Sequence, residues 1–267
     1  MVDMDMESPH AGPHVHIHAL AGASRTWLPC NPGSPHEKAP PKANTPDLGT
    51  AFAMMQRLER LELDYVTAEQ ALHLQHLTNL TSLSLGQLDD CARVLAKNAS
   101  FPALQTLRLV NVRDTDDQRG TSKGCHVFRY PTLRKLELFD SVTDITSCIG
   151  GLTALTELRV ANLLAHSRLG LATELGALTS LRVLYIHAEH GCEVPRALCL
   201  LSQLQRLGLA GNCDLSQLDG AVRQLRSLQT LYLANMAFVA WHDIVGQVGA
   251  GVLTRVPLHL AAAFVVV

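Results

Sequence analysis

A six-residue phrase, Leu-x-x-Leu-x-Leu, returns along this chain at intervals too regular for a Leu-rich composition to produce by itself. It reads Leu58, Leu61, Leu63, then Leu80, Leu83, Leu85, then Leu104, Leu107, Leu109. Leu133, Leu136, Leu138 and Leu155, Leu158, Val160 follow. Leu181, Leu184, Ile186, then Leu204, Leu207, Leu209, then Leu228, Leu231, Leu233 continue the series. A ninth, weaker copy reads Leu253, Val256, Leu258. First positions step by 22, 24, 29, 22, 26, 23, 24 and 25 residues. The second half of the phrase has the period of two that marks a short strand. One such unit cannot bury its apolar side alone, so the repeats must stack on one another.

The residues before each phrase repeat as well. Apolar side chains stand ten, six and three positions upstream: Leu48, Phe52, Met55; Ile145, Ile149, Leu152; Leu171, Leu175, Leu178. Val194, Leu198, Leu201 and Leu218, Val222, Leu225 do the same. Steps of four and three trace one face of a helical turn. Each repeat therefore reads as a strand, a turn and a short helix or 3₁₀ segment on the opposite, convex side. Hydrophobic residues make up 47% of the chain and aromatics only 4%, so aliphatic side chains must fill the core.

These residues resemble the leucine-rich-repeat family, whose period is about 20–29 residues. The resemblance implies an α/β solenoid of eight to nine repeats, with a curved parallel sheet on the concave face. It covers residues 47–260, and Val194-Pro195 before Leu198 is similar to irregular plant and algal intracellular repeats of the Ras-group-related type. One slot departs from the family pattern. The Asn or Cys expected three residues after the last Leu is replaced by Val66, Leu88, Val112, Ser141, Leu163, Glu189 and Met236, and only Asn212 fits. Asn111, Asn162 and Asn235 each sit one residue early. Without an Asn ladder, the turns must satisfy their polar groups through backbone bonds or water, with apolar packing beside them.

Residues 1–46 are rich in Pro, Gly, Ala, Ser and His and read as a disordered or loosely draped segment. Polar Arg113 to Cys125 explains the step of 29 as an inserted loop. Residues 261–267 form an apolar tail without a polar cap, which makes the C-terminal end a candidate self-association face. Net charge is −2, with no run of Lys and Arg to track phosphates, so nucleic acid is not expected. No apolar stretch is long enough to span a membrane. No signal peptide is legible, and seven scattered cysteines without CxxC spacing suit reduced thiols; the expected location is cytoplasmic. The resemblance adds cytoskeletal or ciliary association as a setting.

Two clusters suggest metal chemistry without meeting its requirements. His10, His14, His16 and His18 lie close together, but in a segment expected to be loose. His187, His190 and Cys192, with Cys213, supply four ligand types at no familiar finger spacing. Phosphate-loop, zinc-protease and nucleophile-elbow motifs are missing. We therefore expect no metal, no cofactor, no catalytic residues and no enzyme activity.

What remains is binding. With the Leu of each strand pointing inward, the alternate residues line the concave strip. Its central row runs Glu62, Ser84, Arg108, Glu137, Arg159, Tyr185, Gly208, Tyr232. The row before holds Lys135, Glu157, Val183 and Arg206, and the row after holds Phe139, Ala161, His187, Ala210 and Ala234. Alternating charges at Arg108, Glu137 and Arg159 suit cross-strand ion pairs that also orient a ligand. Tyr185, His187 and Tyr232, near Arg206 and beside small Gly208, Ala210 and Ala234, suit an interface anchor. The expected function is an adaptor or scaffold that binds a protein. The resemblance also allows a substrate-recognition subunit of a ubiquitin ligase or an axonemal protein.

Overall fold

In the computed structural model, the described residues are 14–17, 48–88, 101–112, 130–140, 149–161, 175–193, 196–214, 218–234 and 258–261. They include ten strands in one sheet, in sequence order and with parallel pairing throughout. The strands are β1 His14–Ile17, β2 Arg60–Leu63, β3 Ser82–Gly86, β4 Thr106–Val110 and β5 Lys135–Phe139. β6 Glu157–Ala161, β7 Val183–Glu193, β8 Arg206–Asp214, β9 Thr230–Ala234 and β10 Leu258–Ala261 complete the sheet. The chain is a leucine-rich-repeat solenoid, as the spacing predicts.

Register follows the Leu phrase strand by strand. Leu61, Leu83, Leu107, Leu136, Leu158, Leu184, Leu207 and Leu231 are consecutive cross-strand neighbours. In the eight copies from Leu58 to Leu233, every phrase position is at most 5% exposed. A slip of one residue would turn each of these side chains to the solvent face, so the Leu spacing locks the register.

Between strands the chain crosses the convex side in short helical pieces. Helix α1 (Leu48–Met54), helix α2 (Ala68–Ala71) and helix α3 (Leu218–Gln224) alternate with 3₁₀ turns at Leu72–His76, Ile149–Gly151, Leu175–Ala177 and Arg196–Leu200. Apolar slots upstream of the phrase are buried at Phe52, Ile149, Leu152, Leu175, Leu178, Leu198, Leu201, Val222 and Leu225. Among the upstream slots whose burial is described, Met55 is the exception, at 39% exposed. Helix α2 begins in a reciprocal cap that the period did not point out. The Gln70 N–H donates to Thr67 Oγ1, and the Thr67 N–H donates to Gln70 Oε1.

Each repeat closes on one backbone bond. The N–H of the first Leu donates to the carbonyl three residues back, from Leu58 to Met55 through Leu228 to Leu225, at 2.9–3.2 Å. Carbonyls then run as a spine from repeat to repeat. Glu59 O accepts from Thr81 N and Ser82 N, Thr81 O from Gln105 N and Thr106 N, and the pattern continues to Gln205 O, Gln229 N and Thr230 N.

The expected Asn slot holds core instead: Val66, Leu88 and Val112 are buried there. The residue before that slot makes the turn. Gln87, Asn111 and Asp140 sit at φ 47, 52 and 49°, and Gly211 at 83°. Asn and Asp tolerate this left-handed region better than most side chains. The N–H groups of Gln87, Asn111 and Asp140 donate to Val110, Phe139 and Ala161 O in the next repeat. The early Asn111 is therefore a turn residue, and backbone bonds replace the Asn ladder there.

Two expectations change. The strand of the ninth copy, β10, pairs Leu258 with Leu231 and Leu260 with Leu233, two residues later than the Leu253, Val256, Leu258 reading. The earlier register would place Pro257, which has no N–H to donate, inside the strand. Residues 14–17, read as part of a loose segment, form an edge strand whose Val15 and Ile17 pair with Leu61 and Leu63. Alternation in His14-Val-His16-Ile carried that strand, while Gly12 in the first phrase slot hid it from the repeat. The rest of 1–46, the loop from Arg113 to Cys125, the Val194-Pro195 pair and the tail after Ala261 lie outside the described residues.

Candidate functional site

The helical pieces lie on one face of the sheet, and among the described residues none lies on the other, the open face. On the open face the strands align Glu62, Ser84, Arg108, Glu137, Arg159, Tyr185, Gly208 and Tyr232 as one continuous row. At both ends the row extends beyond the span read from the sequence, to His16 on β1 and His259 on β10.

The middle of the strip is a closed square of charge. Lys135 Nζ lies 2.9 Å from Glu137 and 3.5 Å from Glu157, and Arg159 Nε lies 2.6 Å from Glu157 and 3.7 Å from Glu137. Two edges run along β5 and β6, and two cross between them, because register places Lys135 beside Glu157 and Glu137 beside Arg159. Two cations and two anions cancel within one patch. Glu137, only 8% exposed, is buried because both cations cover it. Enclosing a carboxylate without such partners would be costly. Arg108 caps the next position by stacking its guanidinium 5.3 Å from the Phe139 ring centroid. Arg108, Glu137 and Arg159 thus have partners within the sheet.

The C-terminal end is built differently. Tyr185 lies across the neighbouring strand, against Gly208: a Cβ added at Gly208 would come 2.4 Å from Tyr185 Cδ2 and 3.0 Å from Cε2. Burial raises the Tyr185 phenol above its ordinary pKa of 10.0, and Tyr232 raises it further, while Arg159 opposes both. Gly208 is buried between Tyr185 and Tyr232 in register, and the space its absent side chain leaves is filled by the Tyr185 ring. The two tyrosines stand two strand steps apart, on the order of 10 Å.

Small residues continue beside Gly208, with Ala210 and Ala234 buried in the next row after half-exposed His187. Arg206 is exposed, between Val183 and Thr230 in register, neither of which carries charge. Tyr185, His187, Arg206 and Tyr232 therefore share the open face of β7 to β9.

The His-x-x-His-x-Cys run folds into an extension of β7 that a residue count could not foresee. After Ala188 pairs with Gly211, the register shifts and Cys192 meets Cys213. The left-handed Gly211 allows the close approach, since a Cβ there would meet Ala188 O at 2.5 Å. Cys213 is buried, and its thiol donates to Ala210 O at 3.4 Å. Among the described residues, no three His, Cys, Asp or Glu side chains converge as a metal site would need.

Sequence reading also missed an aromatic pair in the core. Phe101 and Tyr130, three residues before their phrases, pack with ring centroids 6.3 Å apart. Their spacing from the phrase was the available signal, but the polar sequence ahead of Tyr130 concealed it.

No family model matches the chain, and neither does any curated protein. Among solved structures the chain is similar to an internalin C2 from Listeria monocytogenes str. 4b F2365, at 20% identity and TM-score 0.46, over 74% of this chain and 76% of that one. A second internalin from the same strain aligns at 18% identity and TM-score 0.48, over 80% of this chain and 56% of that one. A Leptospira interrogans leucine-rich-repeat protein aligns at 18% identity and TM-score 0.43, over 78% and 62%. The chain thus spans less than two thirds of the length of the latter two. No described helix is long and apolar enough to cross a membrane. By its own repeat, its in-register parallel sheet and its short convex helical segments, the chain is a leucine-rich-repeat solenoid.

Proposed function

We propose that the chain is a non-enzymatic protein-interaction module, an adaptor that holds a protein ligand on the open, concave face of its sheet. The observation that carries this reading is the contrast along one row. Charges on β5 and β6 neutralise each other, whereas β7 to β9 present the half-buried rings of Tyr185, laid over Gly208, and Tyr232. Two such rings on one face offer a ligand large contact area at low entropic cost, with a phenol to fix its orientation. Arg206 and His187 supply polar contacts at the rim. The neutral centre contributes shape and register more than energy.

The test is quantitative capture of proteins by the wild-type chain and by a Tyr232→Ala, Arg206→Ala variant. A defined protein retained by the first and lost by the second supports the reading, provided thermal melts match. Equal recovery by both overturns it.

A further inference from the structure

A second surface differs from the concave strip in both position and charge. At the edge where the strands begin, a groove of about 620 Å³ runs across the repeats of β5 to β7. Its lining includes Arg134, Arg182, Thr156, Gln105, Gln203 and Ser180, and no carboxylate. Arg134 and Arg182 are both exposed. Among the described residues, no ion pair joins either guanidinium to a partner, although Lys135 and Arg159 in the same repeats are fully paired. The edge is therefore cationic where the face beside it is neutral. Its floor is fixed, since Thr156 Oγ1 donates to Arg134 O, and Arg182 N and Thr156 N sit in the carbonyl spine.

We propose that this groove binds an extended acidic peptide with two carboxylates one polyproline-II turn apart. Arg134 and Arg182 occupy equivalent positions two strands apart, with Thr156 between them. Two strand steps of ~4.8 Å separate them by roughly 10 Å. Two cations are too few to track a nucleic-acid backbone. A polyproline-II segment returns to the same face every three residues, after ~9.3 Å, which matches the spacing of the two backbone positions that carry Arg134 and Arg182. Each Arg then takes one carboxylate through paired N–H bonds. Gln105, Ser180 and Gln203 offer side-chain partners to the peptide backbone.

The probe is a labelled hexapeptide, Pro-Glu-Pro-Pro-Glu-Pro, blocked at both ends and followed by fluorescence anisotropy at low salt. Companion peptides place the two Glu side by side or replace both with Gln. The spaced peptide should bind the wild-type chain at least about fivefold tighter than either companion. Arg134→Gln with Arg182→Gln should weaken it roughly tenfold, as expected for two exposed charge pairs, and salt should weaken it too. Tyr232→Ala should leave it unchanged, which separates this groove from the concave face. Absence of binding, equal binding of all three peptides, or binding that survives the double Arg variant would each overturn the proposal. So would inorganic pyrophosphate binding the groove while the spaced peptide does not.

Discussion

The ring of Tyr185 occupies the place a side chain at Gly208 would take, with only 2.4 Å between Tyr185 Cδ2 and a Cβ built there. The tyrosine proposed as an anchor is thus also a structural tyrosine, set in place by the neighbouring strand.

Gly208→Ala should therefore displace the ring and cost about 1–3 kcal/mol, the range for overpacking. In a Tyr185→Ala background the same change should be neutral or slightly stabilising, because Gly in a strand carries an entropic penalty. A double-mutant cycle by chemical denaturation reads the coupling. Additive costs would show that the two residues do not share this space.

Tyr185 also predicts a pH dependence. Its phenol is raised above 10.0, chiefly by burial. A raised folded-state value means the folded chain holds the proton that the unfolded chain releases. Stability is then at its full value below about pH 10 and falls as pH rises through the folded value. The phenolate absorbance difference between wild type and Tyr185→Phe should titrate above pH 10, and Tyr232→Phe should lower that midpoint. A difference curve centred at 10 or below would contradict the burial described here.

Glu137→Gln opens the charge square. It leaves Lys135 and Arg159 with Glu157 as their remaining partner. Both cations are partly exposed, so the loss should be about 1 kcal/mol and should shrink as salt is added. A loss that ignores salt would indicate packing as its cause.

Leu184→Ala should cost ~2–5 kcal/mol, because Leu184 is 1% exposed in the centre of the stack. An unchanged melt would place the strand in another register.

The repeat and the register were legible because a period-two strand with one buried face tolerates no slip. Every concave row position from Glu62 to Tyr232 followed from the Leu spacing alone. Side-chain direction along the strip was not legible. Spacing placed Lys135, Glu137, Glu157 and Arg159 near one another, but the closed square depends on rotamers. Nothing in the sequence says that Tyr185 leans toward Gly208 and not away from it. β1 and β10 were misread for local reasons, a missing first apolar slot in one and Pro257 in the other. The edge groove escaped notice because its two arginines lie 48 residues apart in the chain and meet only through the stacking of repeats.

The concave-face account is tested most directly by a photo-crosslinking amino acid placed at Tyr232 on the open face, and separately at Leu200, which is 59% exposed on the convex side. Irradiation in the native mixture should yield a discrete covalent adduct with one protein from position 232 and none from position 200. Adducts from position 200 with none from 232 would contradict the account.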